Sequence, residues 1–242
     1  MGCATSDAIQ DAFFGRWPSA TQRSLAGCFE MGYLNKLRGR AVNEPDVYYV
    51  SPSAKRGYAL AEEVLAAEDK KPALGLARLA ARFLRSCRES GLVFREWRSE
   101  RELRPVPELG QLVPDAYLRI ARSEGQEAKP VSFFVEWEAS DKPVSYWDQK
   151  FRRYVAIYDS ELYDKAFGTS SLRILILVAP KRHGPGRLNR LAAAAERAGA
   201  TMARLADWRE LRSAPAADVL RAPLWTKPGR DERISLFPSE ER

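Results

Sequence analysis

The sequence predicts an α/β fold in which a mixed sheet is flanked by helices, with a smaller unit preceding it. In the later part of the chain, apolar strand-like runs alternate with amphipathic helical stretches, an order typical of layered α/β domains. A charged run at 68–72 ends in proline and separates this part from the residues before it. The length of 242 residues accommodates a small and a medium domain. We therefore predict domains at 1–70 and 71–242.

The elements of the second domain follow from hydrophobic periodicity. A helix is expected at 73–90, because its apolar residues recur at helical spacing and Gly91 is a suitable C-terminal stop. Further helices are expected at 145–158 and 187–198. The strands are expected at 92–97, 115–121, 131–137, 172–178 and 201–205. The segment after Ser213 is expected to be rich in loops and pinned to the body by Leu224, Trp225, Leu236 and Phe237.

The first domain has the element order helix, strand, basic turn, strand, helix. A helix is expected from Ser19 or Thr21 onwards, ending near Gly32. A strand-like run from Tyr33 becomes basic, a second strand is expected at 47–50, and a further helix at 58–67. This order resembles the second half of a winged helix-turn-helix.

The winged helix-turn-helix resemblance implies DNA contacts from the recognition helix and the wing. Glutamine and arginine at a helix start can pair with base edges in the major groove, and basic wing residues can meet phosphates. The candidate DNA-binding residues are Thr21, Gln22, Arg23, Arg38, Arg40, Lys55 and Arg56. A protein-protein or dimerisation winged helix with a solvated basic face is the alternative.

Composition narrows the range of functions. The net charge of +7 favours an anionic partner such as nucleic acid, although solubility alone could explain it. The single histidine, His183, excludes zinc sites and nucleases that need several histidines from one chain. Three widely spaced cysteines favour neither a disulfide framework nor a thiolate metal site, so a cytoplasmic setting is expected. No run approaches the ~20 apolar residues of a membrane span, and no secretory signal is expected.

Acidic residues stand at special places on two predicted strands. Asp115 opens one strand after a proline. On the next strand, Phe134, Glu136 and Glu138 alternate on one face. Two carboxylates on an otherwise apolar strand are costly to bury without a partner. A divalent cation removes this cost, and Mg²⁺ prefers oxygen ligands. The sequence therefore predicts an Mg²⁺ (or Mn²⁺) site formed by Asp115, Glu136 and Glu138.

The helix that follows the second acidic strand supplies a cation. Lys150 and Tyr154 lie four residues apart on one helical surface, and Lys150 can point across the sheet towards the carboxylates. A lysine there could orient or help to deprotonate an attacking water, or stabilise charge on a phosphate. The alternatives are a structural ion pair for Lys150, a core role for Tyr154 and a solvated strand end for Glu138. Glu100 is a further acidic candidate, or part of a solvated charged face.

These residues resemble the signature of the PD-(D/E)xK restriction-endonuclease-like superfamily, Pro-Asp followed by (Asp/Glu)-x-Lys. The chain departs from it where Glu138 replaces the lysine; in some branches that lysine lies on the following helix, where Lys150 would serve. The run 97–154 is more closely similar to the replication-relaxation family of plasmid and mobile-element proteins. The matching motifs are Trp97…Glu100, Val113-Pro114-Asp115-Ala116, Phe134-Val135-Glu136-Trp137-Glu138 and Lys150-x-x-x-Tyr154.

The resemblance implies a winged helix before a nuclease-like domain, and a metal-dependent DNA endonuclease or nickase. Asp115, Glu136, Glu138, Lys150 and Tyr154 are its expected catalytic residues. The alternative is a catalytically inactive DNA-binding protein on the same fold, acting in plasmid replication, transfer control or transcription. A third possibility is a protein-binding effector. A homodimer is a further expectation, because winged-helix proteins often pair.

Overall fold

The computed structural model describes residues 70–122, 130–139, 142–179 and 186–238. Before residue 70 it describes shorter stretches and single positions, namely 3–5, 9, 22–23, 25–26, 28, 34–36 and 47–50. The chain divides into two units, Met1–Arg85 and Ser86–Arg242.

The described part of the first unit contains a three-stranded antiparallel sheet with the order β1-β3-β2. Its strands are β1 (Cys3–Thr5), β2 (Leu34–Lys36) and β3 (Val47–Val50). The predicted strand at 47–50 is confirmed, and β2 lies within the predicted run after Tyr33. Helix α1 (Lys70–Ser90) starts in this unit and runs into the second. The predicted domain boundary at 70/71 stays a prediction.

The candidate DNA-binding residues fall mostly outside the described residues. Gln22 and Arg23 are helical and exposed. Those outside are Thr21, Arg38, Arg40, Lys55 and Arg56. The helix expected at 58–67 also lies outside the described residues. The winged helix and its DNA contacts therefore stay predictions.

The second unit contains a seven-stranded mixed sheet with the order β10-β9-β8-β7-β6-β5-β4. Its strands are β4 (Val93–Ser99), β5 (Ala116–Ala121), β6 (Val131–Glu138), β7 (Leu172–Val178), β8 (Ala203–Asp207), β9 (Trp225–Thr226) and β10 (Arg233–Ile234). Its further helices are α2 (Glu100–Leu103), α3 (Val144–Asp159), α4 (Glu161–Phe167), α5 (Arg187–Arg197), α6 (Trp208–Ser213) and α7 (Asp218–Arg221), with a 3₁₀ turn at Pro107–Leu109. The predicted α/β class with a mixed sheet and helices is confirmed.

The strand directions place the helices relative to the sheet. Strands β4, β5 and β6 form an antiparallel meander. Strand β7 runs parallel to β6, and such a pair needs a long crossover, which α3 and α4 supply. Strand β8 runs parallel to β7 and α5 connects them. The end of β6 therefore leads directly into the segment that begins α3.

The hydrophobic core of the second unit lies between the sheet and helices α3 and α5. On α3, residues at helical spacing face the sheet. The buried members of this core include Trp147, Phe151 and Tyr154 from α3, Leu191, Ala194 and Ala195 from α5, and Phe134, Ile174 and Ile176 from the sheet. Small alanine side chains on α5 let that helix pack closely against the rest of this core. The core fixes the rotation of α3 about its axis, and thereby the direction of its polar side chains.

The segment after Ser213 departs from the predicted loop-rich tail. It contains α7 and the strands β9 and β10. Trp225, Leu236 and Phe237 are buried as expected, and the ring centroids of Phe237 and Phe133 on β6 are 6.1 Å apart. Among the described residues, no helix is both long and apolar enough to cross a membrane.

Candidate active site

The pairing of β5 with β6 brings two carboxyl groups together. Ala116 lies opposite Val135 in this antiparallel pair. One step beyond, Asp115 therefore stands opposite Glu136, and residues opposite one another across an antiparallel pair project to the same face. The two groups interact electrostatically, because the charge of Asp115 raises the pKa of Glu136.

Asp115 is held by two main-chain N–H donors. Its Oδ2 accepts a hydrogen bond of 2.7 Å from the Trp137 backbone N–H, and its carbonyl accepts one of 3.0 Å from the Glu100 N–H. Burial raises the pKa of Asp115, while the Trp137 N–H and the charge of Lys150 oppose that rise. Within the described part of the chain, Oδ1 accepts no hydrogen bond. That oxygen can meet a ligand without losing a protein partner.

Glu136 is buried and receives a hydrogen bond on each carboxylate oxygen. Lys150 Nζ lies 2.5 Å from Oε2, and the Tyr154 hydroxyl donates to Oε1. Burial raises the pKa of Glu136 to about 7 and Asp115 adds to the rise, although Lys150 and Tyr154 act in the opposite direction. Ionisation of Glu136 therefore occurs near neutral pH in the absence of a further cation.

Lys150 and Tyr154 reach Glu136 from the same side of α3. Burial alone would lower the pKa of Lys150, but the charge of Glu136 and its hydrogen bond outweigh burial, and the pKa is raised. Burial and the charge of Glu136 raise the pKa of Tyr154 well above its usual value. Both groups are therefore protonated donors at neutral pH. The structure brings Asp115, Glu136, Lys150 and Tyr154 together; their catalytic roles stay predictions.

Glu138 belongs to a different set of contacts. Its Oε2 accepts a 2.9 Å hydrogen bond from the Trp147 indole N–H, and its Oε1 lies 2.8 Å from Arg187. The same guanidinium group donates to the Lys142 carbonyl at 2.8 Å. Glu138 is buried, so the alternative of a solvated strand end is wrong.

Sequence reasoning missed both partners of Glu138. Trp147 lies on the helix predicted at 145–158 and was not among the candidate site residues. Arg187 begins α5 and is separated from Glu138 by 49 residues. The one available signal was the cost of burying Glu138 on an apolar strand, which demands a cation without saying which one.

The donor set fits a divalent cation held by two carboxylates. Among the described residues, no group of three or more His, Cys, Asp or Glu side chains could hold a metal ion. The predicted trio of Asp115, Glu136 and Glu138 therefore does not form one ligand cluster there. Mg²⁺ usually binds through one or two carboxylates, with waters and substrate phosphate completing its shell. Asp115 and Glu136 supply such oxygen donors, and their two negative charges face one lysine.

Glu100 lies near the site without joining it. Its carboxylate pairs with Arg104 at 2.7 Å, and that ion pair is largely exposed. Its charge nevertheless raises the pKa of Asp115. This arrangement agrees with the interpretation of Glu100 as part of a solvated charged face.

Comparison with known proteins gives little to add to this geometry. No family model and no curated protein matches the sequence. The chain is similar to two structures of the restriction endonuclease FokI, one of them bound to DNA. Each match has 12% sequence identity and a TM-score of 0.35, and each covers 90% of this chain. The chain spans only 41% and 42% of the two matched chains. Similarity at that TM-score does not establish a shared function, so the chemistry is inferred from the site itself.

Proposed function

We propose that this protein is an Mg²⁺-dependent (or Mn²⁺-dependent) deoxyribonuclease that hydrolyses phosphodiesters as an endonuclease or nickase. The observation that carries the proposal is the convergence of Asp115 and Glu136 with the ammonium of Lys150, 2.5 Å from Glu136. The net charge of +7 agrees with a polyanionic substrate. The restriction-endonuclease-like assignment and the replication-relaxation family rest on the motifs quoted above. So does a setting on a plasmid or mobile element.

The residues present suit phosphodiester hydrolysis. Asp115 and Glu136 would hold the cation, which when bound neutralises phosphate charge and makes a coordinated water more acidic. Lys150 is protonated, so it acts as a donor: it orients the attacking water or a non-bridging phosphate oxygen and stabilises developing negative charge. Tyr154 fixes the orientation of Glu136. Water attack on phosphorus forms one P–O bond and breaks another, which leaves a phosphate end, a hydroxyl end and no covalent protein-DNA link.

The test is metal-dependent nicking of supercoiled plasmid DNA by the full chain. Asp115→Asn and Lys150→Met should each lower the rate by about 100-fold or more, the usual cost of removing one preorganised electrostatic group. Asp148→Asn is the matched control, because Asp148 lies on the same helix and pairs with Arg197 at the surface. That variant should keep wild-type activity. Full activity in a folded Asp115→Asn protein would contradict the proposal.

One observation favours a second candidate, a catalytically inactive DNA-binding protein on the same scaffold. Both oxygens of Glu136 already accept hydrogen bonds from protein donors, as in a closed structural ion pair. This candidate predicts DNA binding that neither Mg²⁺ nor Asp115→Asn alters, together with no nicking by the wild type. A homodimer remains a separate prediction for either candidate, checked by the mass of the protein in solution.

A further inference from the structure

Lysine and tyrosine alternate at intervals of four residues along the face of α3 that leads to the carboxylates. The series is Lys142, Tyr146, Lys150 and Tyr154. Residues four apart are neighbours on a helix surface, and Lys142 lies just before the first turn. Lys142 and Tyr146 are exposed, Lys150 is half-buried and Tyr154 is fully buried. The series therefore runs from solvent inwards to Glu136.

The outer pair of this series is held in place. The Tyr146 side chain is 37% exposed, yet its ring meets the Trp147 ring edge-on at a centroid distance of 6.1 Å. Lys142 Nζ lies 4.2 Å from the centre of the Tyr146 ring. The Lys142 carbonyl is in turn fixed by Arg187 at 2.8 Å. An exposed aromatic ring with these contacts is preorganised for binding, which lowers the entropy lost when a ligand stacks on it.

Lys142 and Tyr146 also interact electrostatically with groups of the carboxylate site. The phenol of Tyr146 influences the pKa of both Lys150 and Tyr154. The charge of Lys142 lowers the pKa of Asp115 against the effect of burial. Geometry agrees: Lys150 Nζ lies 5.3 Å from the centre of the Trp147 ring, which Tyr146 contacts, so a molecule bound at the outer pair would lie near the reacting groups.

An aromatic ring next to an ammonium group matches the chemistry of a nucleotide. Lys142 Nζ lies over one face of the Tyr146 ring, so a base would stack on the opposite face while its phosphate pairs with the ammonium; an aromatic ring and a cation together are typical of proteins that bind single strands. The faces of bases inside a duplex are covered by their neighbours, so only an unpaired base can stack on Tyr146. Each such contact changes affinity by about 5- to 150-fold when the aromatic residue is replaced by alanine.

We propose that Tyr146 and Lys142 form a subsite for an unpaired nucleotide, so that the site acts on single-stranded DNA or on unpaired stretches within a duplex. This inference rests on the proposed function for its account of why a strand is brought to Asp115 and Glu136. The subsite itself is a binding feature, and it can be tested without any cleavage.

The first experiment measures binding by the full chain in EDTA. The probe is a thymidine oligonucleotide carrying one 2-aminopurine, whose fluorescence falls when it stacks on an aromatic ring. The wild-type protein should quench the 2-aminopurine fluorescence of the single strand. Tyr146→Ala should leave that fluorescence unquenched and bind the strand about tenfold more weakly. Tyr146→Phe should retain both properties, because it keeps the ring. Lys142→Gln should weaken binding with less effect on the maximal quench.

Tyr158→Ala is the matched control, because Tyr158 is 43% exposed at the other end of the same helix, roughly 18 Å along its axis. It should bind and quench like wild type. Three results would overturn the subsite. The first is that the wild type leaves the probe fluorescence unchanged, and the second is that Tyr146→Phe weakens binding as much as Tyr146→Ala does. The third is that Tyr146→Ala loses as much affinity for a fully paired duplex as for the single strand.

The second experiment separates the subsite from the proposed function. With Mg²⁺, wild type should cleave a single strand faster than the matching duplex, and Tyr146→Ala should lose that preference. If wild type cleaves nothing but still quenches the probe, the nuclease proposal fails and the subsite stands. If Tyr146→Ala cleaves both substrates as wild type does, the nuclease stands and the subsite fails.

Discussion

Two buried glutamates, Glu136 and Glu138, stand two residues apart on β6, yet their surroundings differ. Among the described residues, Glu138 pairs with the guanidinium group of Arg187 and accepts a hydrogen bond from the Trp147 indole N–H. Glu136 shares the ammonium of Lys150 with Asp115, and the negative charge of Asp115 raises the pKa of Glu136. Two carboxylates therefore compete for one lysine at Glu136.

This difference distinguishes an anchoring group from a reactive one. A buried carboxylate that is paired with an arginine holds elements together, and here Glu138 ties β6 to the start of α3 and to α5. A site with more negative than positive charge favours the uptake of a cation or a proton. We therefore propose that Glu136 takes part in the chemistry and that Glu138 serves the scaffold, although a strand pattern alone treats the two alike.

The largest expected effect is on activity. Glu136→Gln should lower metal-dependent cleavage by about 100-fold or more, because it removes a charged ligand and the partner of Lys150. Glu138→Gln should lower it by about tenfold or less, through looser positioning of the segment before α3. Initial rates of plasmid nicking measure both. Equal loss in the two variants would erase the distinction between the two glutamates.

Stability should show the opposite order. Glu138→Gln leaves the buried Arg187 without its carboxylate, and breaking such a pair costs about 3 kcal/mol. Glu136→Gln leaves Lys150 near Asp115 with matched charges, so the free energy of unfolding should change by about 1 kcal/mol or less. Urea denaturation of the metal-free proteins measures both values. A larger loss in Glu136→Gln would show that Glu136 is also an anchor.

The pH dependence of stability is a further test of the surroundings of Glu136. The pKa of Glu136 is raised to about 7 in the folded chain, from its usual value of 4.5, so the folded state binds more protons between those values. The free energy of unfolding contributed by this group is present below pH 4.5 and falls as the pH rises towards 7. Glu136→Gln should flatten that slope in EDTA, which urea denaturation at a series of pH values measures. Mg²⁺ near pH 7 should restore stability in wild type and not in Glu136→Gln.

The smallest effect on activity is expected from Tyr154→Phe. It keeps the ring contact with Phe134 but removes the hydroxyl that donates to Glu136. Losing a hydrogen bond to a charged group should lower the free energy of unfolding by about 1.5 kcal/mol. It should also raise the pKa of Glu136 further. The acid limb of the pH-rate profile should then move to higher pH. An unshifted profile would mean that Tyr154 serves only the core.

Strong local patterns explain what the sequence could predict. The strand at 172–178 was placed at its observed bounds, because an apolar run broken only by Arg173 between turn signals leaves little ambiguity. Asp115, Glu136, Lys150 and Tyr154 were found because polar residues in apolar strands, and a polar pair at helical spacing, are visible in a short window. The sequence did not reveal β9 and β10, because two-residue strands have no periodicity to detect.

The pairing of Glu138 with Arg187 could not be predicted for a different reason. It depends on the order of β6 and β7 in the sheet and on where the chain enters α5, and neither follows from a local pattern. The charge balance that separates Glu138 from Glu136 is therefore a tertiary property. It appears only when the sheet and both helices are assembled.

The main-chain donor that holds Asp115 has an evolutionary consequence. Because the Trp137 N–H belongs to the backbone, Asp115 is oriented by the way β5 and β6 pair rather than by the side chain at 137. Position 137 is thus free to drift among residues without loss of that hydrogen bond, with proline as the exception. Distant relatives that keep the strand pairing could retain an oriented aspartate while sharing no recognisable residue beside the glutamate.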